Sequence, residues 1–304
     1  MSAPRVIALA TSARFADLVA DDQLLVDVLR ARGMHAVAAI WNDPAQRWHD
    51  YDAVVIRSCW DYHLAHDAFL AWITQLETAG VRILNPPALV RWNAEKGYLR
   101  ELAASGVAVV PTRWVERGDV EPLESIMREN SWSEVVVKPA ISASAHDTWR
   151  TSAGAAVASE GRYREMVKRG RVLVQPYLDV VATDGEWSLL FYDGAYSHGV
   201  IKRPRPGDFR VQVEHGGGSE IREPDRHVIE AAGRTLVEAE RGRARSLYAR
   251  VDGCVIDGQF VVMELELIEP DLYLRAHPSA PTRLADALLA RIDEHTPPRL
   301  AFSP

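Results

Sequence analysis

Three carboxylates in the last sixty residues are spaced to act together. Glu264 and Glu266 are two residues apart in the run 259–268, whose apolar residues Val262, Leu265 and Leu267 would line a core. On a strand, residues two apart point to the same face, so both carboxylates share one. Asp252 lies in the preceding run 247–256, across an Asp257-Gly258 turn signal. Register decides whether it joins them. A two-residue turn sets Asp252 opposite Met263 and puts Glu264 on the other face. A three-residue turn, Asp257 to Gln259, sets Asp252 opposite Glu264 and Arg250 opposite Glu266. Three carboxylates on one face repel unless a cation lies among them, and hard oxygen donors suit Mg²⁺ completed by substrate phosphates. A solvated polar sheet face would show the same alternation, and both readings stay open on this hairpin alone.

Cations that could meet phosphate are few and placed at strand ends. Lysine supplies four of the 35 basic residues: Lys96, Lys138, Lys168 and Lys202. In so arginine-rich a chain, a lysine can mark a place that needs a compact ammonium on a flexible stem. Lys138 ends the apolar run Val135-Val-Val-Lys-Pro139 and emerges beside Ile141-Ser-Ala-Ser-Ala-His146. Small side chains there let backbone N–H groups approach a phosphate. Lys202 and Arg203 end another strand, and Arg210 follows in Gly207-Asp-Phe-Arg210. Lysine and arginine clamps with Mg²⁺ are what phosphoryl transfer requires, because its catalysis is mostly positioning and charge stabilisation. Each of these residues alone also fits a solvated surface; their conjunction carries the inference. No Walker A loop, GxGxxG fingerprint or GxSxG elbow is present. His198 and His215 read as structural.

The elements that must position these residues change character along the chain. Strand patterns at 5–10, 34–41, 53–56 and 81–84 alternate with helical patterns at 21–31 and 66–79, which predicts a parallel sheet with helices on both faces. Pro86-Pro87 marks a boundary. A helix is expected at 93–105, a strand at 107–110, a helix at 122–129, a strand at 134–138, a short helix at 162–169 and a strand at 171–175. Beyond these the pattern is antiparallel. Runs 187–192 and 195–201 flank Asp193-Gly194, runs 247–256 and 259–268 flank Asp257-Gly258, and a helix at 226–240 lies between the hairpins.

The composition bounds the function. With 304 residues the chain has the length of about two domains. At 47% hydrophobic and 25% charged it reads as globular. A net charge of −7 argues against a broad nucleic-acid-binding face. No apolar run approaches the ~18 residues of a membrane span, and the first residues do not read as a signal peptide. Cys59 and Cys254 alone make neither a disulfide framework nor a cysteine zinc site. The expectation is a reduced, soluble, cytoplasmic protein.

In this order the motifs resemble the ATP-grasp ligases, in the branch with a glutathione-synthetase-like nucleotide domain. The residues that carry the resemblance are Asn93-Ala-Glu-Lys96, Val135-Val-Val-Lys-Pro139, Gln175-Pro-Tyr-Leu178, Gly185-Glu-Trp-Ser188, Lys202, Gly207-Asp-Phe-Arg210, Arg250-Val-Asp252 and Glu264-Leu-Glu266. The resemblance covers roughly residues 90–270. Within the family, Arg57-Ser-Cys-Trp-Asp-Tyr62, Trp92-Asn93 and Glu266-Leu-Ile-Glu-Pro-Asp271 look most like the group containing D-cycloserine synthetase, which closes a ring on O-ureido-D-serine.

The implied fold is α/β plus α+β: a parallel-sheet domain over 1–88, a central ATP-grasp lid subdomain over 89–176 and a C-terminal ATP-grasp subdomain over 177–304. The implied cofactors are ATP and two Mg²⁺ ions, with Mn²⁺ an alternative. By the resemblance, Lys96 and Lys138 contact the nucleotide, and the 142–145 stretch, with Ser142 and Ser144, covers its phosphates. Gln175, Tyr177 and Leu178 form the adenine hinge, and Asp179 reaches the ribose. Lys202 sits near the γ-phosphate and Arg210 stabilises the transferring phosphoryl group. Asp252, Glu264 and Glu266 hold the metals. Glu186 and Arg250 border the substrate. At the end of a parallel strand, Arg57 and Ser58 would clamp a substrate carboxylate, walled by Trp60 and Tyr62.

Three departures stand out. Glu266 occupies a position usually held by Asn, which adds negative charge and bears on metal preference. Gln212 also stands where many members have Asn, and the lid has Ser and Ala for glycine. The implied activity is ATP-dependent phosphorylation of a carboxyl-type oxygen on a small amino-acid-like substrate, followed by displacement of phosphate by a nitrogen nucleophile, with ADP released. The resemblance also allows a homodimer. The alternative is an ATP-binding regulatory or partner protein without catalysis; an NAD(P) enzyme is disfavoured by the missing glycine fingerprint.

Overall fold

The computed structural model describes residues 5–212 and 215–294. The chain opens with β1 (Val6–Thr11), α1 (Ala20–Ala31), β2 (His35–Ile40), β3 (Ala53–Ser58), α2 (His66–Thr78) and β4 (Ile83–Leu84). These strands form one parallel sheet in the order β2-β1-β3-β4. The alternation of β1 sorts its side chains between two cores. Ile7 and Leu9 pack with Leu25 and Leu29 of α1, whereas Ala8 and Ala10 pack with Phe69, Trp72 and Ile73 of α2. Helices therefore cover both faces, as the alternating pattern predicts.

Two short helices follow, α3 (Pro87–Asn93) and α4 (Tyr98–Ala104). The expected single helix at 93–105 is broken at 94–97, and the break is structural. The Lys96 backbone N–H donates to the Ala140 carbonyl at 2.9 Å instead of continuing a helix. The expected strand at 107–110 is likewise reduced to a single bridge, Val109 to Val262.

A second sheet, antiparallel and ordered β5-β8-β6-β7, comes from β5 (Arg113–Val115), β6 (Glu134–Pro139), β7 (Trp149–Ser152) and β8 (Val172–Pro176), with α5 (Leu123–Glu129) and α6 (Ala156–Arg169). Val135, Val137, Val172 and Val174 face those helices in a core with Ile126, Tyr163 and Met166. Their alternates, including Lys138 and Gln175, take the other face.

The third sheet is antiparallel, ordered β11-β10-β9-β12-β13. After the turn of helix α7 (Val180–Thr183) it is built from β9 (Glu186–Tyr192), β10 (Ala195–Arg203), β11 (Gly218–Ile221), β12 (Tyr248–Ile256) and β13 (Gln259–Glu266), with α8 (Arg226–Glu240) between. Leu189, Phe191, Val251 and Leu265 pack on Val228, Ala232 and Leu236 of α8. Both hairpins turn in two residues, with φ near +50° at Asp193 and Asp257 and near +79° at Gly194 and Gly258.

The helix α9 (Ala280–Glu294), last among the described residues, was not expected. It returns to the first sheet, burying Leu284, Leu288 and Ile292 with Ile7, Leu25 and Leu29. No helix among the described residues is long and apolar enough to cross a membrane.

Candidate active site

One cavity of about 1450 Å³ runs between the second and third sheets and up to the strand ends of the first. Its polar floor is the face of the third sheet turned away from α8. Asp252 pairs with Glu264 and Arg250 with Glu266, although Ile256 pairs with Gln259 across a two-residue turn. A bulge reconciles these: the register shifts between Asp252 and Gly253 and skips Met263. Gly253 permits it, since a Cβ there would stand 2.6 Å from the Phe260 ring and closer still to the Val261 carbonyl.

β13 is an edge strand whose outer polar groups need partners. Buried Asn93 supplies two, donating to the Leu265 carbonyl at 2.8 Å and accepting from the Leu267 N–H at 2.8 Å. The Tyr98 hydroxyl accepts from the Leu265 N–H at 3.1 Å, and the Ala108 carbonyl from the Val262 N–H at 2.8 Å. The helices and the segment preceding β5 thus hold the carboxylate strand in place. Only the tertiary fold shows this role of Asn93 and Tyr98.

Cations interleave with the acids. Lys202 is buried between Glu186 at 2.6 Å and Asp252 at 3.2 Å. Arg250 bonds Asp252 at 2.9 Å and also Glu266. Lys96 reaches Glu264 at 3.0 Å and the Ser142 carbonyl at 2.8 Å, which ties the 142–145 loop to the acids. Burial alone would raise the Asp252 carboxyl, but Arg250 and Lys202 hold it down at about 2. Burial, offset by Arg250 and reinforced by Asp252 and Glu264, pushes the Glu266 carboxyl up to about 7. Burial lowers the Lys138 ammonium. Glu269, on the same cavity wall, is pushed well up by burial and then by Glu266.

Among the described residues, no three or more acids, histidines or cysteines are gathered closely enough to hold a metal ion as they stand. The donor set nevertheless fits a hard divalent cation. Asp252, Glu264 and Glu266 are all oxygen donors on one face, and their mutual repulsion is what added positive charge would relieve.

Most of the expected site residues line this cavity: Lys96, Lys138, Ser142, Ser144, Gln175, Tyr177, Leu178, Glu186, Lys202, Arg210 and Arg250, with Trp60 and Tyr62 on the first-sheet side. Arg210 is forked onto Asp208 at 2.9–3.0 Å. The Arg150 guanidinium covers one face of Tyr177, 3.5 Å from the ring centroid.

Three residues depart from expectation. Arg57 is only 2% exposed. It spends its guanidinium on Asp22 at 2.9 Å and the Pro270 carbonyl at 2.8 Å, over the Tyr248 ring, so it is no open clamp. Ser58 is fully buried and donates to Asp22 at 2.6 Å. Together with the Trp60 indole, which donates to the Glu269 carbonyl at 2.8 Å, Arg57 fastens the 269–271 segment at the cavity wall. Asp179 is exposed ahead of α7 and outside the lining. Arg14 and Arg275 line the cavity instead, on the side of the first sheet; neither carried a sequence signal.

Comparison with known proteins decides the family. A curated relative, the cycloserine biosynthesis protein DcsG of Streptomyces lavendulae, is 30% identical over 298 residues, covering 94% of this chain and 99% of the relative. The chain belongs to the DcsG family of ATP-grasp ligases. A family model described as the N-terminal domain of D-cycloserine synthetase DcsG matches residues 7–85, the span of the first sheet. The crystal structure of D-cycloserine synthetase DcsG superposes with a TM-score of 0.85 at 30% identity, over 94% of this chain and 99% of that one. D-alanine–D-alanine ligase from Bacillus anthracis, in complex with ATP, shares the fold at a TM-score of 0.69 and 15% identity, over 95% of this chain and 98% of that one. The fold is ATP-grasp, and the family's activity is ATP-dependent ligation.

Proposed function

We propose that this chain phosphorylates a carboxyl-type oxygen of an amino-acid-like small molecule and joins the activated carbon to a nitrogen, in a ring closure of the kind D-cycloserine synthetase performs. The convergence of Lys96, Lys138, Lys202 and Arg250 with Asp252, Glu264 and Glu266 on one cavity carries this reading. A carboxylate oxygen attacks the γ-phosphorus, ADP departs, the nitrogen attacks the acyl carbon, and phosphate leaves with that oxygen.

In this account Lys96 and Lys138 neutralise the nucleotide phosphates, and residues 175–178 receive the base. Lys202 faces the γ-phosphate, and Arg210 leaves Asp208 to meet charge that develops in the transition state. Asp252, Glu264 and Glu266 would hold two Mg²⁺ ions, with Mn²⁺ an alternative. Such ions neutralise phosphate charge during transfer. Trp60 and Tyr62 wall the substrate end, with Arg14 and Arg275 as cations there in place of Arg57.

ADP release from MgATP, assayed against D- and L-amino acids, short peptides and O-ureido-D-serine, tests the reading. Release that depends on one compound is expected. Tight MgATP binding with no release for any compound would favour the non-catalytic alternative.

A further inference from the structure

The base end of the cavity contains a hydrogen-bond relay whose direction is fixed by chemistry. The Thr112 hydroxyl lies 2.8 Å from the Val110 carbonyl, and the Gln175 amide lies 2.8 Å from the same hydroxyl. A carbonyl only accepts, so the single hydroxyl proton of Thr112 goes to Val110. Toward Gln175 the hydroxyl can then only accept, so the side-chain NH₂ of Gln175 must face Thr112. This settles the orientation of the amide, which its shape alone would leave open.

The relay has a firm anchor. The Val110 N–H donates to the Val262 carbonyl at 3.1 Å, and the Val262 N–H donates to the Ala108 carbonyl at 2.8 Å. Gln175 itself is held in register with Val136 on β6. Gln175 lines the cavity and is 6% exposed, and among the described residues its Oε1 has no hydrogen-bond partner. The NH₂ end of the amide is therefore held at Thr112, and its Oε1 acceptor is left to the cavity.

Resting on the ligase reading above, we infer that Thr112 is a positioning residue for nucleobase choice: by locking the Gln175 amide it selects a purine with a 6-amino donor against one with a 6-oxo acceptor. A buried acceptor facing a carbonyl leaves both unpaired, and that penalty discriminates more strongly than lost contact area.

The experiment is equilibrium binding of MgATP and MgITP to the full chain. Wild type should prefer ATP. Thr112→Val should reduce the ATP:ITP affinity ratio by roughly tenfold or more, because the amide is then free to turn. Thr112→Ala, which removes the same hydroxyl with less bulk, should reduce it similarly, and Thr112→Ser should retain it. In a Gln175→Glu background, Thr112→Val should leave the ratio unchanged, because a carboxylate offers an acceptor in either orientation. An unchanged ratio in both Thr112→Val and Thr112→Ala would overturn the proposal. So would equal weakening of both nucleotides, the mark of a merely structural role. Wild type that binds neither nucleotide would instead remove the ligase reading beneath it.

Discussion

Asp252 faces Glu264 across the β12–β13 ladder because Met263 is left out of the register. Without that bulge the two-residue turn would pair Asp252 with Met263 and turn Glu264 to the face covered by α8. The acidic face of the cavity is thus made by one extra residue, admitted by a glycine opposite.

Gly253→Ala tests this directly. Its Cβ would meet the Phe260 ring and the Val261 carbonyl. We expect a loss of about 1–3 kcal/mol in urea unfolding, the usual cost of overpacking. Metal-dependent activity should fall further than stability, because relief of the clash shifts Asp252 against Glu264. A variant of normal stability and normal activity would show that the bulge does not require a glycine at 253.

Much of this was legible in the sequence, and the reasons are local. The alternation of β1 and the helical spacing of α1 and α2 encode which side each residue faces, so the parallel sheet could be read directly. The Asp-Gly pairs gave both hairpin turns. The bulge was not legible, since the turn alone allows only the two-residue or three-residue register and a bulge leaves no turn signal. Arg57 was misread for a related reason: a strand-end arginine looks like a clamp until Asp22 and Pro270, 35 residues before and 213 after, are seen to hold it. The helix break at Lys96 and the clamps of Asn93 and Tyr98 on β13 depend on partners more than 40 residues away.

Arg210 should separate binding from chemistry. It rests in a fork on Asp208, whose carboxyl it holds far below the usual carboxylate range. We expect Arg210→Ala to lower kcat by about 100-fold or more while MgATP affinity stays within about tenfold, because its partner is charge that appears during transfer. Equal kcat in the two proteins, measured by ADP release, would remove Arg210 from the mechanism.

Lys202 should carry structural weight beside the role proposed for it. Replacement by Met leaves Glu186 and Asp252 facing each other without their shared cation. Breaking a buried pair in this way costs about 3–5 kcal/mol. Adding Glu186→Gln should return part of that loss, because one of the stranded charges is gone. Additive losses in chemical unfolding would show that the three groups are not coupled.

The acid limb of stability should report His198. Burial, and then His277, hold its imidazole at about 4, below the ordinary 6.5. The folded state thus favours neutral His198 more strongly than the unfolded chain does. Its contribution is fully present above pH 6.5 and is lost as pH falls from there through about 4. The full loss is on the order of 3 kcal/mol. His198→Gln should flatten this part of the stability–pH curve. An unchanged slope would mean that His198 does not titrate differently in the two states.

The central claim is that the substrate's own oxygen accepts the γ-phosphoryl group. It is tested most directly by labelling the carboxyl oxygens of the compound that triggers ADP release with ¹⁸O and examining the phosphate formed. The account predicts one ¹⁸O atom in each phosphate, left there when nitrogen displaces it from the acyl carbon. Unlabelled phosphate would contradict it, because the γ-phosphoryl group would then have gone to water or to another acceptor.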